Sequence, residues 1–153
     1  DPNHHQIFAE REATCRRYGL KALVPADNTV VTAADNYRFN VRLLEACDAV
    51  LANLSPFRGP HCDVGTAWEL GYAAARRTPL FAFSGNNETL LRRAGRRGRI
   101  ARDESGMLVE DFGMPENLMI VSSIVASTIH GNFESAVKAA ADYLDATRKH
   151  RND

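Results

Sequence analysis

Short apolar runs alternate with helix-length amphipathic segments along this chain, and that alternation constrains its fold more than any other feature. The runs of strand length lie at residues 20–24, 49–54, 79–83 and 119–127. Apolar residues at helical spacing predict helices at residues 6–18, 34–46, 64–76 and 133–148. Strands that alternate with helices predict an α/β fold: a doubly wound parallel sheet in a three-layer sandwich of the flavodoxin or Rossmann type.

Individual residues refine this prediction. Gly19 follows the first helix as a C-cap, and Pro25 ends the first strand. The run 49–54 is almost continuously apolar, as expected of a strand buried on both faces. The polar stretch 84–106 is predicted to be a partly helical insertion. The last predicted helix, 133–148, presents an apolar face. That face consists of Phe133, Val137, Ala140, Ala141 and Leu144.

Length and charge limit the classes of partner. The chain has 153 residues, which predicts one domain over 1–153. Nineteen Lys plus Arg balance nineteen Asp plus Glu, so no basic surplus exists to bind nucleic acid or a charged membrane surface. No apolar run approaches the length of about 20 residues that a membrane-spanning helix needs.

The cysteines and the N-terminus indicate a compartment. Cys15, Cys47 and Cys62 form no C-x-x-C pair, which fits a reducing cytosol and neither a disulfide framework nor a metal site. The N-terminus lacks the basic and apolar regions of a signal peptide. We therefore expect a cytoplasmic protein that binds a small or specific partner and holds no metal.

The segment 48–71 is the best candidate for chemistry. It combines an apolar strand, a rigid loop containing Arg58, and a helix start with two carboxylates, Asp63 and Glu69. Ligands of parallel sheets bind beyond the carboxyl ends of the strands, which is where this loop lies. Gly65 and Gly71 leave room for a ligand or a neighbouring backbone to approach closely.

Three motifs make the chain resemble the nucleoside 2-deoxyribosyltransferase family. They are CDAVLANLSPFRG, DVGTAWELGYA and EDFGMPENLM, with a weaker match in FESAVKAAADYL, and they follow one another in the family's order. The resemblance implies a doubly wound α/β sandwich and an enzyme that moves a 2-deoxyribosyl group between nucleobases without a cofactor. Its substrates would be nucleosides and free nucleobases.

The resemblance implies that Glu69 is the nucleophile. Cleavage of an N-glycosidic bond develops oxocarbenium character at the anomeric carbon, which a carboxylate can stabilise and then capture. A second base would attack the resulting glycosyl-enzyme. The plainer alternative for Glu69 is a solvated helix glutamate.

Asp63 matches the family carboxylate that holds the sugar hydroxyls, and it is also predicted to be the helix N-cap. A related branch that hydrolyses deoxynucleoside monophosphates carries Ser at this position. Asp63 would repel a phosphate dianion, so it favours an unphosphorylated nucleoside.

Asn40 lies where family members place a base-contacting Asp or Asn, but an amide cannot supply a proton to the leaving base. A surface helix amide is the alternative.

The PFRG loop, residues 56–59 with Phe57, Arg58 and Gly59, is predicted to shape the base pocket. Phe57 could stack on a base or anchor the loop in the core, and Arg58 could contact the base or pair with an acidic neighbour.

Asn117 and Met119 match residues that the family donates to a neighbouring subunit's active site. That match implies a homodimer or higher homo-oligomer with shared active sites, whereas the alternatives are a turn Asn and a core Met.

One feature of the sequence departs from the family pattern, and another could suggest a different function. The resemblance implies a first strand with a glycine-containing loop, and we expect this sequence to lack them, since its first residues already lead into the first predicted helix. The run Arg92, Arg93, Arg96, Arg97, Arg99 and Arg102 is predicted to be a solvated, mobile loop rather than a nucleic-acid site.

Two other functions stay open. One is an N-glycosidase that releases the base to water from nucleosides or their monophosphates. The other is a non-catalytic nucleoside- or nucleotide-binding module.

Overall fold

The structure is a computed structural model, and it describes residues 4–24, 32–95 and 100–152. The elements within those ranges are, in chain order, α1 (His4–Arg17), α2 (Ala33–Ala46), β1 (Val50–Asn53), α3 (Val64–Ala75), β2 (Leu80–Phe83), α4 (Leu90–Ala94), α5 (Leu118–Ser123), a short 3-10 helix (Val125–Ser127), β3 (Ile129–His130) and α6 (Phe133–Asn152).

The described strands form one parallel sheet in the order β1-β2-β3. Val50 pairs with Leu80 at one end of β1 and Asn53 with Phe83 at the other. On the other side of β2, Ala82 pairs with Ile129. Helices cover the sheet: α3 packs on β1 and β2 and contacts α2 and α5, while α6 packs on all three strands and contacts α1. The predicted α/β fold with a parallel, helix-covered sheet is confirmed.

The core is built around β2, whose residues are all buried. Its side chains alternate between the two faces of the sheet, as strand geometry requires. Leu80 and Ala82 pack in a cluster with residues of β1 and α3. Phe81 and Phe83 make edge-to-face ring contacts with Tyr143 and Phe133 of α6. β1, by contrast, is only half-buried, because it is the edge strand of the described sheet.

Several local predictions agree with the structure. Gly19 adopts a φ of 73° and follows α1, and the Leu20 N–H donates to the Cys15 carbonyl, which closes the helix. Val137, Ala140 and Ala141 of the predicted α6 face are buried. In the described part of the stretch 84–106, residues 84–95 and 100–106, one short helix forms, α4. No helix in the described ranges is both long and apolar enough to cross a membrane.

The strand predicted at 119–127 is wrong. The Asn117 Oδ1 accepts the Met119 N–H at 3.0 Å, and this cap begins α5 in a segment whose β-branched residues predicted a strand. Ala126 and Ser127 then adopt left-handed conformations with φ of 53° and 49°. The chain turns at these two residues, and the third strand forms only at Ile129–His130.

The strand predicted at 20–24 is also wrong, and its predicted end, Pro25, lies outside the described residues. Residues 20–24 line one side of a cleft of about 700 Å³, and Leu51 of β1 lines it as well. The described sheet consists of β1, β2 and β3, and this segment pairs with none of them. We call this cavity the Glu69 cleft, since Glu69 also lines it.

Candidate functional site

The carboxyl end of β1 leads through a loop into α3, whose first turn is organised by Asp63. The Asp63 Oδ1 accepts the N–H groups of Gly65 at 2.9 Å and Thr66 at 3.2 Å. A Cβ atom on residue 65 would lie 2.9 Å from that oxygen, so the cap geometry favours glycine there. Asp63 is therefore the predicted N-cap, and its Oδ2 is not used in the cap.

Glu69 lies on the second turn of α3 and is half-buried. Within the described ranges its carboxylate has no hydrogen bond and no ion pair. Burial raises the pKa of Glu69, and the negative charge of Asp63 raises it further. A desolvated carboxylate beside a like charge, in a cleft, is typical of a reactive group rather than of a solvated helix residue.

Asn40 lines the Glu69 cleft from α2. Its Oδ1 atom is buried and has no hydrogen-bond partner among the residues that the structure describes. A buried acceptor without a partner is unfavourable by about 1–3 kcal/mol, and a ligand that donates to it removes that cost. The structure thus brings Asn40 and Glu69 to one cavity, with Phe133 of α6 also in its wall.

The loop after β1 is exposed. The Phe57 N–H donates to the His61 carbonyl, which closes the loop. The Arg58 guanidinium lies 4.9 Å from the centroid of the Phe57 ring, and Arg58 adopts a φ of 54°. Phe57 is about half exposed, so it does not anchor the loop in the core. Gly59 follows with a φ of 153°, which lies in a range that other residues rarely adopt.

Asn117 and Met119 do not line the Glu69 cleft. Asn117 and Gly59 line a second cavity of about 980 Å³, between the loop after β1 and the segment 103–110. The Asn117 Oδ1 caps α5, and its Nδ2 donates to the Glu110 Oε1 at 2.7 Å. Met119 is 73% exposed, so it is not a core methionine. Asn40 and Glu69 thus line the Glu69 cleft, and Gly59 and Asn117 line the second cavity. The predicted site residues that line neither are Phe57, Arg58, Asp63, Gly65 and Met119.

A buried carboxylate that the sequence did not single out connects the walls of the second cavity. The side chain of Glu116 is 1% exposed. Its Oε2 accepts the Cys62 N–H at 2.9 Å, and its Oε1 accepts the Asn117 N–H at 3.0 Å. The His61 Nδ1 lies 2.6 Å from Oε1. The position of Glu116 inside the PENLM motif was the available clue.

Arg93 was also missed, and its assignment to a solvated loop is wrong. Its side chain is 5% exposed and lies 3.6 Å from the Glu116 carboxylate. The guanidinium donates to the carbonyls of Pro60 at 2.9 Å, Glu88 at 2.6 Å, and Pro115. Arg92 and Arg102 are exposed, as predicted, whereas Arg96, Arg97 and Arg99 lie outside the described residues.

Cysteine and metal chemistry find no support in the described ranges. Burial, together with the charge of Glu116, raises the pKa of Cys62 to about 11, so its thiol stays protonated at neutral pH. No group of three or more His, Cys, Asp and Glu side chains there is placed to hold a metal ion.

A parallel-sheet α/β protein with paired carboxylates at a helix start beyond a strand end is the class that these observations define. The family model for nucleoside 2-deoxyribosyltransferases matches residues 1–119, and the chain belongs to that family. A 2-desoxiribosyltransferase from Leishmania mexicana has a similar structure, with a TM-score of 0.80 and 31% sequence identity. The match covers 93% of this chain and 89% of that one.

A curated relative from Schizosaccharomyces pombe is an uncharacterized protein. It is 32% identical over 93 residues, which cover 54% of this chain and 44% of the relative. The chain thus spans less than half the length of that relative.

Proposed function

We propose that this protein transfers a 2-deoxyribosyl group between nucleobases, with Glu69 as the nucleophile. The observation that carries the proposal is the state of Glu69: half-buried, without a partner among the described residues, and with a raised pKa. Such a carboxylate is more basic and less solvated than an ordinary glutamate, and both properties favour attack on an electrophilic carbon. The family and the similar structure from Leishmania mexicana support an enzyme of this kind.

The reaction proceeds by two displacements. A carboxylate oxygen of Glu69 bonds to the anomeric carbon as the glycosidic C–N bond breaks, and the departing base takes up the electron pair and a proton. A nitrogen of the second base then attacks the same carbon. The bond to Glu69 breaks, the carboxylate is restored, and the incoming base loses a proton.

Asp63 binds the sugar in this proposal. Its Oδ1 is engaged in the helix cap, and its Oδ2 can accept a hydrogen bond from a sugar hydroxyl. A second negative charge beside Glu69 disfavours a phosphate dianion, so the substrate is an unphosphorylated nucleoside. Gly65 keeps the space in front of the Asp63 carboxylate clear.

Asn40 binds the base, because its unpartnered Oδ1 can accept an N–H from a ligand in the Glu69 cleft. Phe57, Arg58 and Gly59, in the exposed loop after β1, shape the base pocket in this proposal. Asn117 and Met119 serve the site of a neighbouring copy, which makes the active form a homo-oligomer. The separation of Asn117 from Glu69 into different cavities and the exposure of Met119 both support that arrangement.

The test is to incubate the protein with a deoxynucleoside and a different free base, and to quantify the exchanged nucleoside and free deoxyribose. We expect the exchanged nucleoside to be the main product. Free deoxyribose that is independent of the acceptor base would identify a hydrolase instead. A nucleoside that binds and is recovered unchanged would identify a binding module.

A further inference from the structure

We infer that Glu116 is a positioning residue that holds the start of α3 and the start of α5 in a fixed mutual geometry. We call residues 117–118, where α5 begins, the Asn117 turn. The inference rests on the proposed function, which gives Asp63, Glu69 and Asn117 their roles. Glu116 itself lies beneath the chain surface and acts through backbone groups rather than on a substrate.

The Glu116 carboxylate contacts two different segments, and its Oε1 also lies 2.6 Å from the His61 Nδ1 on the α3 side. Oε2 accepts the N–H of Cys62, the residue directly before the N-cap Asp63, and Oε1 accepts the N–H of Asn117. Both bonds have ordinary N–H···O lengths, and their acceptor is charged. Charge-assisted bonds are about twice as strong as bonds between neutral groups. One side chain therefore sets the distance between the residue that begins α3 and the residue that begins α5.

Arg93 braces the same two segments a second time. Its guanidinium donates to the carbonyl of Pro60, two residues before Cys62, and to the carbonyl of Pro115, two residues before Asn117. Its positive charge lies 3.6 Å from Glu116. A buried ion pair is often no more stabilising than well-packed apolar residues, so stability alone does not require it. An apolar replacement could not bind both backbones.

Glu110 provides the contrast. Its Oε1 accepts the Nδ2 of Asn117 and its Oε2 accepts the N–H of Leu118, so both contacts lie on the α5 side. Glu110 therefore orients the Asn117 turn alone, whereas Glu116 connects that turn to α3. Neutralising Glu110 perturbs only the Asn117 turn, whereas neutralising Glu116 perturbs both that turn and the start of α3. This difference distinguishes coupling of the two segments from a general loss of stability.

The experiment compares Glu116→Gln, Glu110→Gln and Leu80→Ala with the parent. An amide keeps the shape of Glu116 but offers one acceptor oxygen for two N–H groups and leaves Arg93 without its counter-charge. Leu80 is a core residue at the amino end of β2, away from Asp63, and supplies a destabilised control. Deuterium exchange of residues 62–66 and 117–121 is measured with kcat and KM for base exchange, at a temperature where all variants are folded.

We expect Glu116→Gln to speed exchange in both segments and to lower kcat by about tenfold or more, because small misplacements of reacting groups are costly. Glu110→Gln should speed exchange only in residues 117–121. Leu80→Ala should leave kcat within about twofold of the parent, since it acts on stability and not on site geometry. If Glu116→Gln does not fold, Arg93→Lys, which loses the guanidinium fork, replaces it.

The inference is overturned if Glu116→Gln affects only one segment, or if it keeps the parent's kcat and KM while stability falls. A parent without base-exchange activity would refute the proposed function instead. The exchange measurements would then still decide whether Glu116 couples the two segments.

Discussion

Two glutamates, one on α3 and one bonded to the residue before its N-cap, have contrasting surroundings. Glu116 is almost completely buried, accepts two backbone N–H groups, and has Arg93 as a counter-charge. Glu69 is half-buried, has no partner within the described ranges, and has the like charge of Asp63 nearby. The Glu116 carboxylate, whose oxygens are both hydrogen-bonded, maintains structure. The Glu69 carboxylate keeps its oxygens free to contact a ligand.

The contrast has an energetic consequence. A carboxylate held ready for chemistry is stabilised less by folding than one whose oxygens are all bonded, so a reactive site lowers the stability of the fold. Replacing Glu116 should therefore weaken the protein, whereas replacing Glu69 should abolish activity and leave the fold intact. Each of the following measurements tests one side of this comparison.

The largest effect concerns activity. Glu69→Gln removes the proposed nucleophile with almost no change in shape, and kcat/KM for base exchange should fall by about 10³-fold or more. Steady-state kinetics against the parent, with circular dichroism to verify the fold, measures this. Base exchange at the parental rate by Glu69→Gln would exclude the covalent mechanism.

The largest effect on stability concerns Glu116. Glu116→Ala leaves Arg93 buried without a counter-charge, and unfolding in urea should show a loss of about 3–5 kcal/mol. Glu134→Ala is the matched control, because Glu134 is an exposed glutamate that bonds to Arg17 and Tyr18. Its loss should stay below about 1 kcal/mol. Equal losses in the two variants would mean that the Glu116 cluster is not special.

Asp63 should separate capping from catalysis. Asp63→Ala removes the N-cap of α3 and should cost about 1 kcal/mol in the free energy of unfolding. Asp63→Asn restores a capping oxygen, so stability should recover while base exchange stays impaired, because the charge that holds the sugar hydroxyls is gone. Recovery of both properties in Asp63→Asn would show that Asp63 acts only as a cap.

The smallest effect is a pH dependence of stability. The pKa of Glu69 is raised in the folded protein, so folding favours the protonated carboxyl group. This contribution is fully present below the unfolded-state pKa and is lost as pH rises through the folded-state pKa. The stability of the parent relative to Glu69→Gln should therefore fall as pH rises through the carboxyl range and then level off. Urea unfolding of both proteins across that range measures the difference, and a difference independent of pH would contradict it.

The elements predicted correctly are those specified by nearby residues. The apolar runs that became β1 and β2 and the capping Asp63 can be recognised within a few positions of the sequence. The segment 119–127 could not, since Asn117 caps a helix that its β-branched residues do not favour.

The candidate site divides in the same way. Asp63 and Glu69 share one helix and could be paired from their spacing. Glu116 and Arg93 owe their importance to partners far along the chain, and Arg93 lies in a run of arginines that are otherwise exposed where described. Local patterns carry no information about which member of such a run is buried.

The turn between α5 and β3 offers a separate opportunity for engineering. Ala126 and Ser127 are consecutive residues in the left-handed region, and a residue with a Cβ pays about 1 kcal/mol or more there. Glycine or asparagine tolerates that conformation better. The turn lines neither cavity, so a more heat-resistant version of the protein can be sought there without altering the residues proposed for chemistry.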